Sequence, residues 1–214
     1  MTPPERPLVA ILDYGIGNLR SAQKALEHAG ADARLTSDPS LIADARAVVL
    51  PGVGAFGACM DALRTSGLDA VAIETAVAAS QGGRPFLGIC VGMQLLYEGS
   101  AESPQHPGLG VLPGRLSLLP ATEKRPQMQW NRLDISRPSR LFSTVDDPVW
   151  VYFVHSYAAD ATGEHVVATC DYGGPVSAAV ENGLLWATQF HPEKSGGTGL
   201  QLLQSFVIAA EHGV

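Results

Sequence analysis

Long apolar runs are missing from this sequence, and so is any excess of basic charge. No stretch approaches the length that crosses a bilayer, and the opening Met-Thr-Pro-Pro-Glu-Arg-Pro lacks the apolar core of a secretory signal. The net charge of −7 argues against a broad nucleic-acid surface, which needs a basic footprint. Cysteine is scarce. Three widely spaced thiols form neither a disulfide framework nor a zinc-ligand pattern. Internal repeats and low-complexity tracts are absent as well. A cytoplasmic chain without metal, cofactor, membrane or nucleic-acid partner is expected.

What is present describes an ordinary globule: 214 residues, 46% apolar and 16% charged, enough for one domain spanning residues 1–214. Residues 8–12 form a continuous apolar run suited to a buried strand. The turn Asp13-Tyr-Gly-Ile-Gly-Asn18 follows, with Asn18 placed to cap a helix whose core face carries Leu19, Ala22, Leu26 and Ala29 before Gly30 stops it. Residues 33–36 and 47–50 read as further strands, and Met60–Leu63 and residues 68–80 as helices ended by Gly67 and Gly82-Gly83. Alternation of this kind implies a mostly parallel central sheet flanked by helices. Beyond Ser100, prolines and glycines break the helical texture. Short β-like runs then follow at 115–119, 130–135, 149–155, 166–169, 176–180 and 184–190. The last two flank an Asn182-Gly183 hairpin signal. Antiparallel strands are therefore expected in the second half, before a closing helix from about residue 199 with Leu203, Phe206 and Ala210 inward.

The chemistry gathers at Gly88-Ile-Cys90-Val-Gly92, between a short apolar strand at 86–89 and a helix carrying Met93, Gln94 and Tyr97. Gly-x-Cys-x-Gly in that setting is a nucleophile elbow, which holds its reactive side chain on a strained turn at a strand tip. A thiol at a helix start gains thiolate character, and the Val91 amide faces any oxyanion formed beside Cys90. The default role of a free cysteine, a small buried hydrophobe, lacks this context.

Another glycine-rich loop, Pro51-Gly-Val-Gly-Ala-Phe-Gly57, matches the dinucleotide fingerprint, with Glu74 near the expected acidic offset. That fingerprint belongs on the first strand–helix turn, and this is the third, led by a proline. No dinucleotide is expected. Free amides there can instead cradle a carboxamide oxygen or an oxyanion.

The last β-like run ends in Gln189-Phe-His191-Pro-Glu193-Lys194. Residues two apart on extended backbone share a side, and Pro192 biases His191 towards that conformation. Glu193 can then orient the imidazole and favour its charged form. The order Cys, His, acid differs from that of an α/β-hydrolase, whose acid precedes its histidine. Of the six histidines, only His155 in Tyr152-Phe-Val-His-Ser-Tyr157 competes, and with no acid nearby in sequence it is expected to line the pocket or pack beneath it.

These segments, with Asp13-Tyr-Gly-Ile-Gly-Asn-Leu19 and Leu50-Pro-Gly-Val-Gly-Ala-Phe56, resemble the class I (triad) glutamine amidotransferases. More narrowly they resemble the glutaminase subunits of imidazole glycerol phosphate synthase, from histidine biosynthesis. The resemblance runs from the first turn to the last one before the closing helix. It implies a flavodoxin-like fold and hydrolysis of L-glutamine to glutamate and ammonia by a Cys90-His191-Glu193 triad. It also implies an oxyanion hole from the Val53 and Val91 amides, and glutamine held by Gly52, Gln94, Glu102, Ser156 and Tyr157. A (β/α)8-barrel synthase subunit is the implied partner in a heterodimer. That subunit would use the ammonia to form imidazole glycerol phosphate and an aminoimidazole carboxamide ribonucleotide. Asn18, Trp130, Tyr152 and Lys194 match the interface with it. The chain departs from the family at Pro126-Gln-Met-Gln-Trp-Asn131, where Gln127 and Gln129 replace a His and a Gly in the interface loop. Three other readings share parts of this pattern: the glutaminase subunit of pyridoxal phosphate synthase, a non-catalytic scaffold that should lack a triad member, and a small-substrate cysteine peptidase or esterase.

Overall fold

The computed structural model describes residues 6–212. The first half alternates β1 (Leu8–Leu12), α1 (Leu19–His28), β2 (Asp32–Thr36), α2 (Pro39–Asp44), β3 (Ala47–Gly52), α3 (Phe56–Thr65), α4 (Asp69–Ser80), β4 (Phe86–Cys90) and α5 (Val91–Leu95). The second half runs through β5 (Gly99–Ser100), β6 (Arg115–Leu118), β7 (Gln127–Arg132), β8 (Asp134–Ile135), β9 (Trp150–His155), β10 (Tyr157–Ala158), β11 (Val166–Asp171), β12 (Pro175–Asn182) and β13 (Leu185–Thr188), and ends in a 3-10 turn (Pro192–Lys194) and α6 (Gly196–His212).

The main sheet has eight strands in the order β2-β1-β3-β4-β13-β12-β11-β8. β2, β1, β3, β4 and β13 are mutually parallel, which is the flavodoxin-like doubly wound order. Their sequences are apolar on both faces because helices cover both: β3 and β4 are buried throughout. From β13 the sheet turns antiparallel through β12, β11 and β8, and the Asn182-Gly183 hairpin joins β12 to β13 with Gly183 at φ +61°. α6 buries Leu203, Phe206 and Ala210 as expected.

Differences from the sequence expectation trace to short elements. α2 is only six residues with one buried side chain, Ile42, too few for a periodic signal. It is nonetheless capped at both ends. Asp38 accepts from the Ser40 amide at 2.9 Å, and the Arg84 guanidinium donates to the Ile42, Ala43 and Ala45 carbonyls. The run at 130–135 is two strands: β7 pairs with β9 and β8 with β11. The helix after the elbow stops at Leu95, so a helix dipole at Cys90 is short and its individual amides matter more.

At the carboxyl ends of β3 and β4, Gly52 pairs with Cys90. The backbones there touch: a Cβ on Gly92 would lie 1.8 Å from the Leu50 carbonyl oxygen, and one on Gly52 2.7 Å from the Gly92 nitrogen. Only glycine permits this approach. Tyr14, from the first turn, locks the same corner by donating its hydroxyl to the Pro51 carbonyl at 2.6 Å. Burial pushes that hydroxyl far above its ordinary pKa, so it stays a donor.

Candidate active site

Cys90 sits at φ 56° and ψ −112°, the only non-glycine residue with positive φ among the described residues. Such a conformation costs about 1–3 kcal/mol and persists because the β4–α5 junction is pinned on all sides. The side chain is buried at the floor of a cavity of about 320 Å³, at the small end of ligand pockets. Val53, Gly54, Val91, Gln94, Glu102, Pro126, Val154, His155, Ser156, Tyr157, His191 and Lys194 line it with Cys90. A larger open groove of about 1060 Å³, by Arg6, Asp32 and Glu211, holds no thiol or histidine.

His191 is clamped by its backbone. Its amide donates to the Tyr152 carbonyl at 3.0 Å, and its carbonyl accepts from the Ser195 hydroxyl at 2.6 Å. The ring meets Glu193 through Nδ1 and Oε1 at 2.8 Å, with both side chains buried. A carboxylate only accepts, so Nδ1 carries a proton. Nε2 has no partner among the described residues, and the ring lines the cavity. The pairing arises differently from the expected strand-tip geometry: His191 is extended, but Glu193 lies in the 3-10 turn, which folds its carboxylate back under the ring. Burial alone would lower the imidazole's pKa, but hydrogen bonding and charge from Cys90 and Glu193 outweigh it and push the ring up to about 9. Cys90 Sγ lies outside hydrogen-bond geometry with Nε2, so the contact with Glu193 is the cause secured by the structure.

Asn18 precedes the first residue of α1 but does not cap it with its side chain. Its Nδ2 donates instead to Glu193 Oε1 at 3.3 Å, reaching across 175 residues of sequence. An interface position by resemblance, Asn18 is in this structure the carboxylate's second partner.

Three backbone amides of residues that line the cavity with Cys90 are unpaired among the described residues. The Val91 amide opens α5 and has no partner within the helix, and the Val53 and Gly54 amides donate to nothing among the described residues. The Val53 carbonyl accepts from the Cys59 thiol at 3.2 Å, and the Phe56 amide donates to Glu102 Oε2 at 2.8 Å. Glu102 thus uses one oxygen at the start of α3 and keeps Oε1 for the cavity. Gln94 is buried and donates through Nε2 to the Tyr157 carbonyl and to Gln189 Oε1, both at 3.0 Å, leaving its Oε1 as an acceptor.

His155 lines the cavity and is buried, as its sequence setting suggested. Burial pushes it down to about 4, against a raising contact with the Tyr157 carbonyl and helped by the charge of His191, so the ring is neutral. One N–H is then available. The Tyr157 carbonyl, 3.0 Å from Nδ1, needs it, so Nε2 must accept. Gln127 Oε1 is placed 2.9 Å from Nε2 and its Nε2 towards the Cys170 sulfur, but a neutral ring has no proton to give there, so the amide is assigned the other way round, NH2 to the ring and oxygen to the thiol. Gln127 is fully buried and belongs beneath the site, whereas Gln129 is exposed. The segment is also no loop, since all of β7 pairs with β9.

The opposite face of that ribbon is open. Met128, Trp130 and Trp150 are 61%, 48% and 46% exposed, and Trp130 meets the half-buried Tyr152 edge to face with ring centres 6.2 Å apart. Lys194 is exposed at the cavity mouth. Gln189 is the residue that sequence reasoning passed over. The signal that could find it is the two-residue spacing from His191, which on an extended segment puts both on one side.

No helix among the described residues is long and apolar enough to cross a membrane. Residues 10–210 match the family glutamine amidotransferase class-I. The imidazole glycerol phosphate synthase subunit HisH of Syntrophotalea carbinolica is 46% identical over 207 residues, covering 93% of this chain and 98% of the relative. That of Methanothermobacter thermautotrophicus is 48% identical over 200 residues, covering 94% and 98%. Among solved structures, a glutamine amidotransferase superposes with a TM-score of 0.71 at 22% identity, covering 94% of this chain and 98% of that one. PurLQS from Thermotoga maritima superposes at 0.70 and 21% identity, covering 95% and 99%. The structural likenesses establish the fold, and the sequence relatives establish the rest: the chain belongs to the class-I glutamine amidotransferases and, within them, to the HisH subunits of imidazole glycerol phosphate synthase, an enzyme of histidine biosynthesis.

Proposed function

We propose that this subunit hydrolyses L-glutamine through a Cys90-His191-Glu193 triad and passes the ammonia to a (β/α)8-barrel synthase subunit. The observation that carries the reading is the buried His191–Glu193 pair at 2.8 Å in the wall of a small cavity whose floor is a strained cysteine. The Cys90 sulfur attacks the carboxamide carbon, and the resulting oxyanion is held by the Val53 and Val91 amides. Protonated His191 gives its Nε2 proton to the departing ammonia, leaving a thioester. Neutral His191 then takes a proton from water as its oxygen attacks the thioester, and glutamate and the thiol are released. Each oxyanion donor is worth about 2.7–4 kcal/mol, so the orientation of the Gly52–Gly54 segment governs the rate.

The free Oε1 atoms of Glu102 and Gln94 suit the substrate ammonium, and Ser156 and Tyr157 the substrate carboxylate. The barrel partner covers Trp130, Tyr152, Lys194 and the Asn18 turn in a cytoplasmic heterodimer. Tyr152 then links the interface to the chemistry, because its carbonyl accepts from the His191 amide and its own amide donates to the Ser195 hydroxyl at 3.0 Å. In the complex, Cys90→Ala should abolish glutamine hydrolysis and leave ammonia-dependent synthesis intact. Glutamate formation by that variant at the normal rate would overturn the reading.

A further inference from the structure

Gln189 is buried without any solvent access, and no step of the hydrolysis above uses it. Its Oε1 accepts from Gln94 Nε2 at 3.0 Å, and its Nε2 stands 3.9 Å from Cys90 Sγ. The direction of both amides is forced. The Tyr157 carbonyl can only accept, so Gln94 must offer its NH2 group there, and the second hydrogen of that group reaches Gln189. Turning Gln189 over would set one NH2 against another. Its donor side therefore faces the sulfur.

From this geometry we infer that Gln189 is a further catalytic residue, donating a hydrogen bond to the Cys90 sulfur when that sulfur carries charge. The inference rests on Cys90 being the nucleophile. A buried thiolate next to His191 has almost no water to solvate it. A neutral N–H donor stabilises it without competing for the proton that His191 must move. A bond to a charged acceptor is about twice as strong as a neutral one, so the contact tightens as the thiol ionises. Sulfur becomes anionic twice per turnover, before attack and again when the thioester breaks, so one donor serves both steps. Gln94 contributes indirectly, by holding the Gln189 amide in register.

The test replaces Gln189 with methionine, which keeps the length and removes the donor. In the complex with the barrel subunit, kcat for glutamine should fall about tenfold, with KM changed less than threefold and the ammonia-dependent reaction unchanged. Iodoacetamide labelling of Cys90, followed by peptide mass mapping, should shift to higher pH by about one unit, which is tenfold less thiolate at a given pH. Gln189→Glu should shift it further, since it sets a negative charge against the sulfur. If Gln189→Met keeps the wild-type labelling profile, or loses activity through KM or stability with the profile unmoved, the inference fails. Should Gln189→Met not fold, the side-chain amide NMR signals of Gln189 in the wild type decide. They should move as Cys90 titrates and stay still in Cys90→Ala, and any other pattern overturns the assignment. A Cys90→Ala variant that still hydrolyses glutamine would instead sink the triad reading beneath it.

Discussion

Changing Asn18 to Asp separates two roles that predict opposite signs. At a helix start, Asp is as good a capping residue as Asn, and its charge favours the helix dipole by about 0.3–1 kcal/mol. A capping role therefore predicts a neutral or stabilising change. In the structure the Asn18 side chain makes no cap and donates to Glu193 Oε1 at 3.3 Å. Asn18→Asp then removes a hydrogen bond to a charged group, worth about 1.5–3 kcal/mol. It also sets two carboxylates at about 4 Å, where repulsion is about 4 kcal/mol at an effective dielectric of 20. The new carboxyl can escape by binding a proton, which limits the cost at pH 7 to about 4 kcal/mol. We expect a net destabilisation of about 3–4 kcal/mol at pH 7. Because the folded state raises the pKa of the introduced group, the loss should grow as pH rises from about 4 and fade below it. Asn18→Ala should lose only about 1–2 kcal/mol, with little dependence on pH. Urea unfolding of both variants from pH 4 to 8 measures this, and an Asn18→Asp protein as stable as wild type at pH 7 would refute the orienting contact with Glu193.

Two further outcomes follow from buried groups. His191 is raised from 6.5 to about 9 in the folded state, so its stabilising contribution is complete below about pH 6.5 and is lost as pH rises through 9. Wild type should lose stability over that window relative to His191→Ala in urea unfolding, and equal slopes for the two would count against the coupled imidazole. Gln127→Met strands the acceptor of neutral His155 and should cost about 1–3 kcal/mol while leaving Trp130 and Tyr152 in place on the ribbon. Thermal unfolding and tryptophan fluorescence check both halves.

The parts legible in sequence were those where local and global demands coincide. Strands β1, β3 and β4 announce themselves because burial on both faces requires unbroken apolar runs. The elbow is legible because only glycine tolerates a backbone oxygen as close as the Leu50 carbonyl comes to Gly92. His191 and Glu193 stand side by side through a geometry their sequence does not announce: the 3-10 turn, not an extended strand, brings them together. Composition could not reveal contacts between distant segments. Asn18 reads as a cap in any local window, and its true partner is 175 residues away. Gln127 reads as a surface substitution until burial shows it under the cavity, bonded to His155.

Those unseen contacts share a direction. Gln127 meets His155, His155 meets the Tyr157 carbonyl, and that carbonyl takes Gln94, which holds the Gln189 amide beside Cys90. On the other flank, the Tyr152 carbonyl takes the His191 amide, and His191 meets Glu193 and, through it, Asn18. Both chains begin on the β7–β9 ribbon, whose outer face carries Trp130 and Tyr152. The two hydrogen-bonded paths therefore leave one ribbon and end at the sulfur on one side and at the imidazole on the other. The ribbon thus touches both flanks of the site, the sulfur's through His155, Tyr157, Gln94 and Gln189, and the imidazole's through Tyr152.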